Sequence, residues 1–343
     1  MKRVKMEGEI AVYHCISRVV AGERLLDDAA KEVLRRMLWK TAEFCGVEIL
    51  AYCLMSNHFH ILVRVSPADC GEEGEGLGRA EILKRYRRFY GELPSSPGFP
   101  TAAVLAARFA EGGDEAERWE ARLRARMGDV SEFMKTLKQR FTVWFNKTHR
   151  RFGTLWSERY KSVLVENSAF ALKTVAAYID LNPVRAGLVE DPADYRWCSY
   201  AEAMAGNREI LKQYAGILGS SAQTDDPQGD LESYRVVLYG KGGVSKTGAP
   251  ALASRRVDAV LKSGGRLSIG ELARAKTGFL TKGVVIGTRS FLEAVSAGRT
   301  EFGGAVGPPT KLKSSKAAVI PLTTECAEEV ELLAMRRPRG YRK

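Results

Sequence analysis

Ala51-Tyr-Cys-Leu-Met-Ser-Asn-His-Phe-His-Ile-Leu-Val-Arg-Val65 is the stretch on which the reading of the fold turns. Its second half alternates and is rich in β-branched residues, the pattern of a strand. Side chains two apart on a strand share a face. His58 and His60 therefore project together, and Phe59 turns the other way, into a core. Residues 47–54 form the preceding strand and Ser56-Asn57 the turn, so 47–65 is a hairpin. Two imidazoles side by side on a rigid strand make half of a metal site. Histidines at this spacing also occur as ordinary packed or surface residues. The pair gains weight from its rarity, since the whole chain has only four histidines, and from a second feature further along.

Working outward, Ile10-Ala-Val-Tyr-His-Cys-Ile-Ser-Arg-Val-Val20 reads as a first strand. His14 lies in it and, taken alone, is expected to be packed or half exposed rather than catalytic. Residues 27–45 read as a helix, capped by Asp27 or Asp28, with Val33, Leu34, Met37, Leu38, Ala42 and Phe44 as its apolar stripe. Gly46 stops it. Strand, helix and antiparallel hairpin in succession point to a small α+β sandwich with a central antiparallel sheet and helices on one face.

Residues 66–129 interrupt this rhythm with an acidic Gly-rich run, a basic segment and a charged helical stretch over 101–127, read as an insertion. A helix follows over 130–148, with Phe133, Leu137, Phe141, Trp144 and Phe145 on its apolar side. Between Lys135 and Lys161, eight Lys or Arg stand against one acid, Glu158, with aromatics interleaved. Cations beside aromatics suit a nucleic-acid backbone with unstacked bases. The helix aromatics are expected in the core and the 149–161 loop at DNA. The contact set is Lys138, Arg150, Arg151, Trp156, Arg159, Tyr160, Lys161 and Arg185. A strand over 159–166 leads into a helix from about Ser168 to Leu181. It ends where Pro183 discourages helical geometry at Asn182, with Tyr178 on its last full turn.

Composition sets the outer bounds. The chain has 343 residues, 45% hydrophobic and 27% charged, which are globular values. No apolar run of 18 or more residues is present, so no membrane span is expected, and no secretory h-region follows the basic N-terminus. The six cysteines form no CxxC pair or zinc spacing and read as free thiols in a reducing cytoplasm. A net charge of +12 favours a polyanionic partner.

The organisation read from this is a unit over 1–204 carrying the 66–129 insertion, a linker over 205–230, and a smaller basic, partly helical region over 231–343 with a disordered tail. Tyr234-Arg-Val-Val-Leu-Tyr-Gly-Lys-Gly-Gly-Val-Ser-Lys-Thr247 has some look of a phosphate-binding loop. Such a loop needs Gly directly before its Lys, and here Ser245 precedes Lys246.

Four blocks, in order, carry a family likeness. They are Met55-Ser-Asn-His-Phe-His60, Gly153-Thr-Leu-Trp-Ser-Glu-Arg-Tyr-Lys-Ser162, Tyr178-Ile-Asp-Leu-Asn-Pro-Val-Arg-Ala-Gly-Leu188 and Tyr195-Arg-Trp-Cys-Ser-Tyr200. Together they resemble the REP-associated tyrosine transposases, within the single-tyrosine HUH transposases. The likeness spans roughly residues 10–204 apart from the insertion, which is longer than the family pattern. It implies a ferredoxin-like sandwich, a divalent cation (Mg²⁺ or Mn²⁺) on His58 and His60 with Asn182 near it, and Tyr178 as nucleophile. It also implies single-stranded, hairpin-bearing DNA as partner, with the protein a monomer or homodimer. Rival readings are a non-catalytic domesticated DNA-binding protein, a relaxase or rolling-circle nickase, and an RNA-binding protein. The intact His58, His60 and Tyr178 favour an enzyme, and the Tyr178–Gly187 block favours the transposase branch.

Overall fold

A computed structural model describes residues 9–67, 77–91, 98–218, 226–243 and 251–266, together with a short two-stranded ladder, β5 (Val285–Gly287) and β6 (Leu333–Met335). The remaining tail, read from the sequence as disordered, lies outside the described residues.

Four strands form the main sheet: β1 (Ala11–Arg18), β2 (Val47–Leu54), β3 (His58–Val65) and β4 (Lys161–Val165). Their spatial order is β2-β3-β1-β4, every pair antiparallel. Helix α1 (Asp28–Cys45) links β1 to β2. The Asp27 carboxylate accepts from the Ala30 N–H at its start, and Gly46 closes it in the left-handed region at φ 64°, a conformation that costs glycine no steric clash. Between β3 and β4 run α2 (Arg79–Tyr90), α3 (Ala102–Glu111), α4 (Gly113–Arg124) and α5 (Val130–His149).

Residues directly opposite in an antiparallel pair share a face. Tyr52 lies opposite Ile61 and Leu54 opposite Phe59, so these four side chains face one way. Trp39 of α1 meets Tyr52 edge-on at 6.3 Å, and Phe141 of α5 lies 5.9 Å from Trp156, which meets Phe59 edge-on at 5.4 Å. Helices α1 and α5 pack on each other and cover this face. With that strand order, the succession β1-α1-β2-β3-α5-β4 is the ferredoxin-like α+β sandwich expected, both crossover helices on one side. Insertion helix α2 adds to the outside of α1, where Phe89 stacks on Phe44 at 4.5 Å.

The other face is covered from the chain's second half. Helix α6 (Ala169–Asp180) crosses it and is followed by a single turn, α7 (Asn182–Arg185). Next come α8 (Ser199–Met204), α9 (Arg208–Leu218), α10 (Pro227–Gly242) and α11 (Ser254–Lys262). The free edge of β2 is closed by the chain around Trp197–Ser199: Leu54 N–H donates to the Trp197 carbonyl, and Tyr52 N–H to Ser199 Oγ.

Residues 205–230, read as a linker, instead contain α9 and the start of α10. The spacing of Ile210, Tyr214 and Ile217 is helical, and all three are buried against the rest of the fold. The segment before the Gly-rich Lys241–Lys246 run is likewise helix α10 rather than a strand, which removes the phosphate-loop reading on geometry as well.

One buried carboxylate ties this half together. Asp180, at the end of α6, accepts from Ser199 Oγ (2.7 Å), the Tyr200 N–H (3.0 Å) and the Tyr234 hydroxyl on α10 (2.7 Å). Burial outweighs these three bonds and pushes its carboxyl up from 3.8 to about 6. The native state thus holds this proton more tightly than the unfolded chain. Asp180 contributes stability that is complete below pH 3.8 and is lost as the pH rises through about 6. Relative to Asp180→Asn, the protein should lose on the order of 3 kcal/mol between roughly pH 4 and 7. Urea unfolding at several pH values measures this, and parallel stability profiles for the two proteins would contradict it.

Candidate active site

The alternation of β3 places His58, His60 and Leu62 on the face opposite Phe59. Antiparallel pairing with β1 sets Arg18 directly across from His58, Ile16 across from His60 and His14 across from Leu62. One face of two central strands therefore carries three histidines and an arginine. The His58 and His60 rings lie 5.1 Å apart, and the His60 and His14 rings 5.1 Å apart and stacked. Helix α6 lays Tyr178 across them, edge-on to His60 at 5.8 Å and to His14 at 6.1 Å. The Tyr178 ring is 43% exposed, open enough for a large substrate to reach it. The Arg185 guanidinium, from the end of α7, sits 5.0 Å from the Tyr178 ring centroid.

Burial keeps all three imidazoles neutral at pH 7. It pushes His14 down to about 4 and, helped by the neighbouring His14, His58 and Arg18, His60 down to about 3. His58 is lowered as well, by burial first and Arg18 second. Neutral imidazoles keep a lone pair for a metal. His58 Nδ1 is held by Asn57 Oδ1 at 2.6 Å, and His60 Nδ1 by His14 Nε2 at 2.9 Å. In each ring the other nitrogen, Nε2, makes no hydrogen bond among the described residues. This donor set fits a divalent cation bound through two Nε2 atoms, each ring oriented from behind. No cluster of three or more His, Cys, Asp or Glu suited to a metal occurs among the described residues.

Of the residues singled out from the sequence, His58, His60 and Tyr178 come together. Asn182 opens α7 just past the end of α6, where its amide nitrogen donates to the Tyr178 and Ile179 carbonyls at 3.0 and 3.2 Å, leaving its amide oxygen as the atom it can offer a cation. The expected DNA-contact set divides. Arg150, Arg159, Lys161 and Arg185 are exposed and Arg151 half-buried. Trp156 and Tyr160 correct the expectation: both are core residues, Trp156 wedged between Phe59 and Phe141 and Tyr160 hydrogen-bonded to Ser131 Oγ. Their rings are already covered by protein, so no base can stack on them. Lys138 donates to the Glu158 carbonyl and lies over Trp156, pinning the loop. The aromatic that this loop does present is Phe152, at 96% exposure.

Two residues went unrecognised in the sequence. Arg18 is exposed beside His58 and reads locally as a strand end. His14 is buried, as expected of it, but against His60. Even-numbered parity links His14 with Arg18 on one strand and His58 with His60 on another. Which faces coincide depends on register between segments far apart in the chain.

Residues 10–69 match the family described as "Transposase IS200 like". Over this stretch the chain is similar to the IS200-like transposases. The match takes in β1, α1, β2 and β3, hence His14, Arg18, His58 and His60, and ends before Tyr178. Two solved structures are also similar. One is a REP-associated tyrosine transposase bound to a REP hairpin, 16% identical, covering 60% of this chain and 85% of that one, with a TM-score of 0.36. The other is a protein from Deinococcus radiodurans R1 described as a transposase, 16% identical, covering 52% of this chain and 96% of that one, with a TM-score of 0.25. Overlap at this level is too slight to bear on function. No curated protein matches the sequence. No helix among the described residues is long and apolar enough to cross a membrane.

Proposed function

We propose that the protein is a transposase that cuts and rejoins single-stranded, hairpin-bearing DNA by forming a covalent link between Tyr178 and the 5′ side of the break. The observation that carries the reading is the meeting of Tyr178, from α6, with the neutral pair His58 and His60, from β3, on one solvent-reachable face.

A phosphodiester's negative charge repels nucleophiles. A divalent cation, Mg²⁺ or Mn²⁺, held by His58 and His60 with the Asn182 amide oxygen beside them, would withdraw charge from a non-bridging phosphate oxygen and orient the phosphorus. Tyr178 Oη attacks that phosphorus. The new Oη–P bond forms as the P–O3′ bond breaks, the phenol loses its proton, and the departing 3′ oxygen gains one. The phosphotyrosine keeps the free energy of the broken linkage, so a 3′-OH from another end displaces Tyr178 and reseals the strand without ATP. Arg185, over the Tyr178 ring, and Arg18, beside His58, flank the reacting phosphate with fixed positive charge. The cations Arg150, Arg151, Arg159 and Lys161 hold the strand on either side. The loop bearing the first three meets the His58 end of the sheet, where Val20 N–H donates to the Leu155 carbonyl and Ser157 N–H to the Arg18 carbonyl.

Incubating the protein with end-labelled single-stranded hairpin DNA and Mn²⁺ should give a denaturant-resistant adduct. Peptide mass should place it on Tyr178, and EDTA should abolish it. Failure to form an adduct with any single-stranded hairpin, or an adduct on another residue, contradicts the reading.

Arg18 has two effects of opposite sign. Arg18→Gln should weaken single-stranded DNA binding and reduce its salt slope by about one phosphate contact. Without DNA, the same change should tighten Mn²⁺ binding, because a positive charge beside His58 is gone. Filter binding across a salt series and Mn²⁺ titration measure the two. Loss of both affinities together would mark Arg18 as merely structural.

A further inference from the structure

We propose that His14 is a positioning residue, whose ring nitrogen accepts the His60 Nδ1 proton and so fixes His60 with its Nε2 lone pair free for a metal ion. This rests on the reading above that His58 and His60 bind a divalent cation.

The argument begins with one hydrogen bond. His14 Nε2 and His60 Nδ1 lie 2.9 Å apart, both rings buried and stacked at an interplanar angle of 25°. Two ring nitrogens 2.9 Å apart share a single proton, because a second would set two N–H groups head to head. If His14 donates it, His60 Nδ1 is the acceptor and His60 carries its own proton on Nε2, where a metal cannot bind. If His60 donates it, His60 Nε2 is bare. Cation binding at His60 therefore selects the second arrangement, and it requires His14 to be protonated at Nδ1 and bare at Nε2.

The companion ligand has the same design. His58 Nδ1 is held by Asn57 Oδ1 at 2.6 Å, which also leaves Nε2 for the ion. Each imidazole of the pair is thus oriented through Nδ1, His58 by the turn preceding its own strand and His60 by the neighbouring strand. His14 is not arranged as a third ligand, because the nitrogen it turns toward the pair is already engaged by His60. Its ring also forms part of the floor beneath Tyr178, 6.1 Å away edge-on, so a disturbed His14 would be felt by ligand and nucleophile alike.

The test is Mn²⁺ titration of the full chain by calorimetry or electron paramagnetic resonance, comparing wild type, His14→Phe and His14→Gln. Phe keeps a flat ring but accepts no proton. Gln can bring its amide oxygen toward the place of His14 Nε2. His14→Phe should weaken Mn²⁺ binding by about 10- to 100-fold, and His14→Gln should recover most of the loss. Ring ¹⁵N resonances of the metal-free wild type should show His60 protonated at Nδ1 and His14 at its own Nδ1, a readout that needs no variant to fold. Undiminished Mn²⁺ affinity in His14→Phe, equal losses in both variants, or a proton on His60 Nε2 would each overturn the assignment. A wild-type protein that binds no Mn²⁺ overturns the metal reading itself and, with it, this role for His14.

Discussion

Tyr178→Phe is expected to abolish covalent protein–DNA adducts while leaving folding and DNA binding intact. The substitution removes one oxygen and keeps the ring that lies edge-on to His60 and His14 and under Arg185. Tyr178 Oη makes no hydrogen bond among the described residues, and the side chain is 43% exposed. Thermal stability should therefore move by no more than about 0.5 kcal/mol, the usual range for surface changes. Strand cleavage should fall to background, since the substitution removes the proposed nucleophilic oxygen. A denaturing gel of labelled hairpin DNA, paired with filter binding, separates the two outcomes. Adducts of normal yield would remove Tyr178 from the reaction, and loss of binding together with cleavage would give it a role in holding DNA.

The second large effect is on stability and comes from the side chain between the two histidines. Phe59 is fully buried and packs edge-on against Trp156, which in turn rests on Phe141. Phe59→Ala should cost about 3–5 kcal/mol through lost burial and the cavity left behind. Strand β3 is central, flanked by β2 and β1, so its backbone bonds limit how far neighbours can collapse into the space. Denaturant unfolding measures the cost. His58→Ala, one residue earlier and half-buried on the opposite face, should cost far less stability and yet remove Mn²⁺-dependent cleavage. Equal destabilisation by the two changes would mean that the faces of β3 are not divided between core and site as described.

Local pattern carried much of this architecture. The alternation over 58–65 separates Phe59 from the histidine pair. Gly46 ends α1 at the left-handed position that a helix stop favours, and α6 ends with Tyr178 in its last turn just before Asn182-Pro183. Composition was a poorer guide in two places. Cations and aromatics intermingle along 149–161, but their separation into exposed and buried sets depends on what lies beneath the loop. Trp156 found Phe59 and Phe141, and Tyr160 found Ser131. Gly, Ser and Asp around 219–230 suggested a linker and obscured the helical spacing of Ile210, Tyr214 and Ile217 just before them.

By itself, the sequence determined which side chains share a face within each segment, where helices stop, and that His58, His60 and Tyr178 belong together by family likeness. Only the tertiary structure decided that His14 backs His60, that Arg18 stands across from His58, and that Trp156 and Tyr160 are core. The reason is the range of the forces involved. Periodicity within a segment follows from backbone geometry a few residues long. Register between β1 and β3, and the seating of α6 over both, are set by packing contacts among segments tens of residues apart, for which no local pattern is a record.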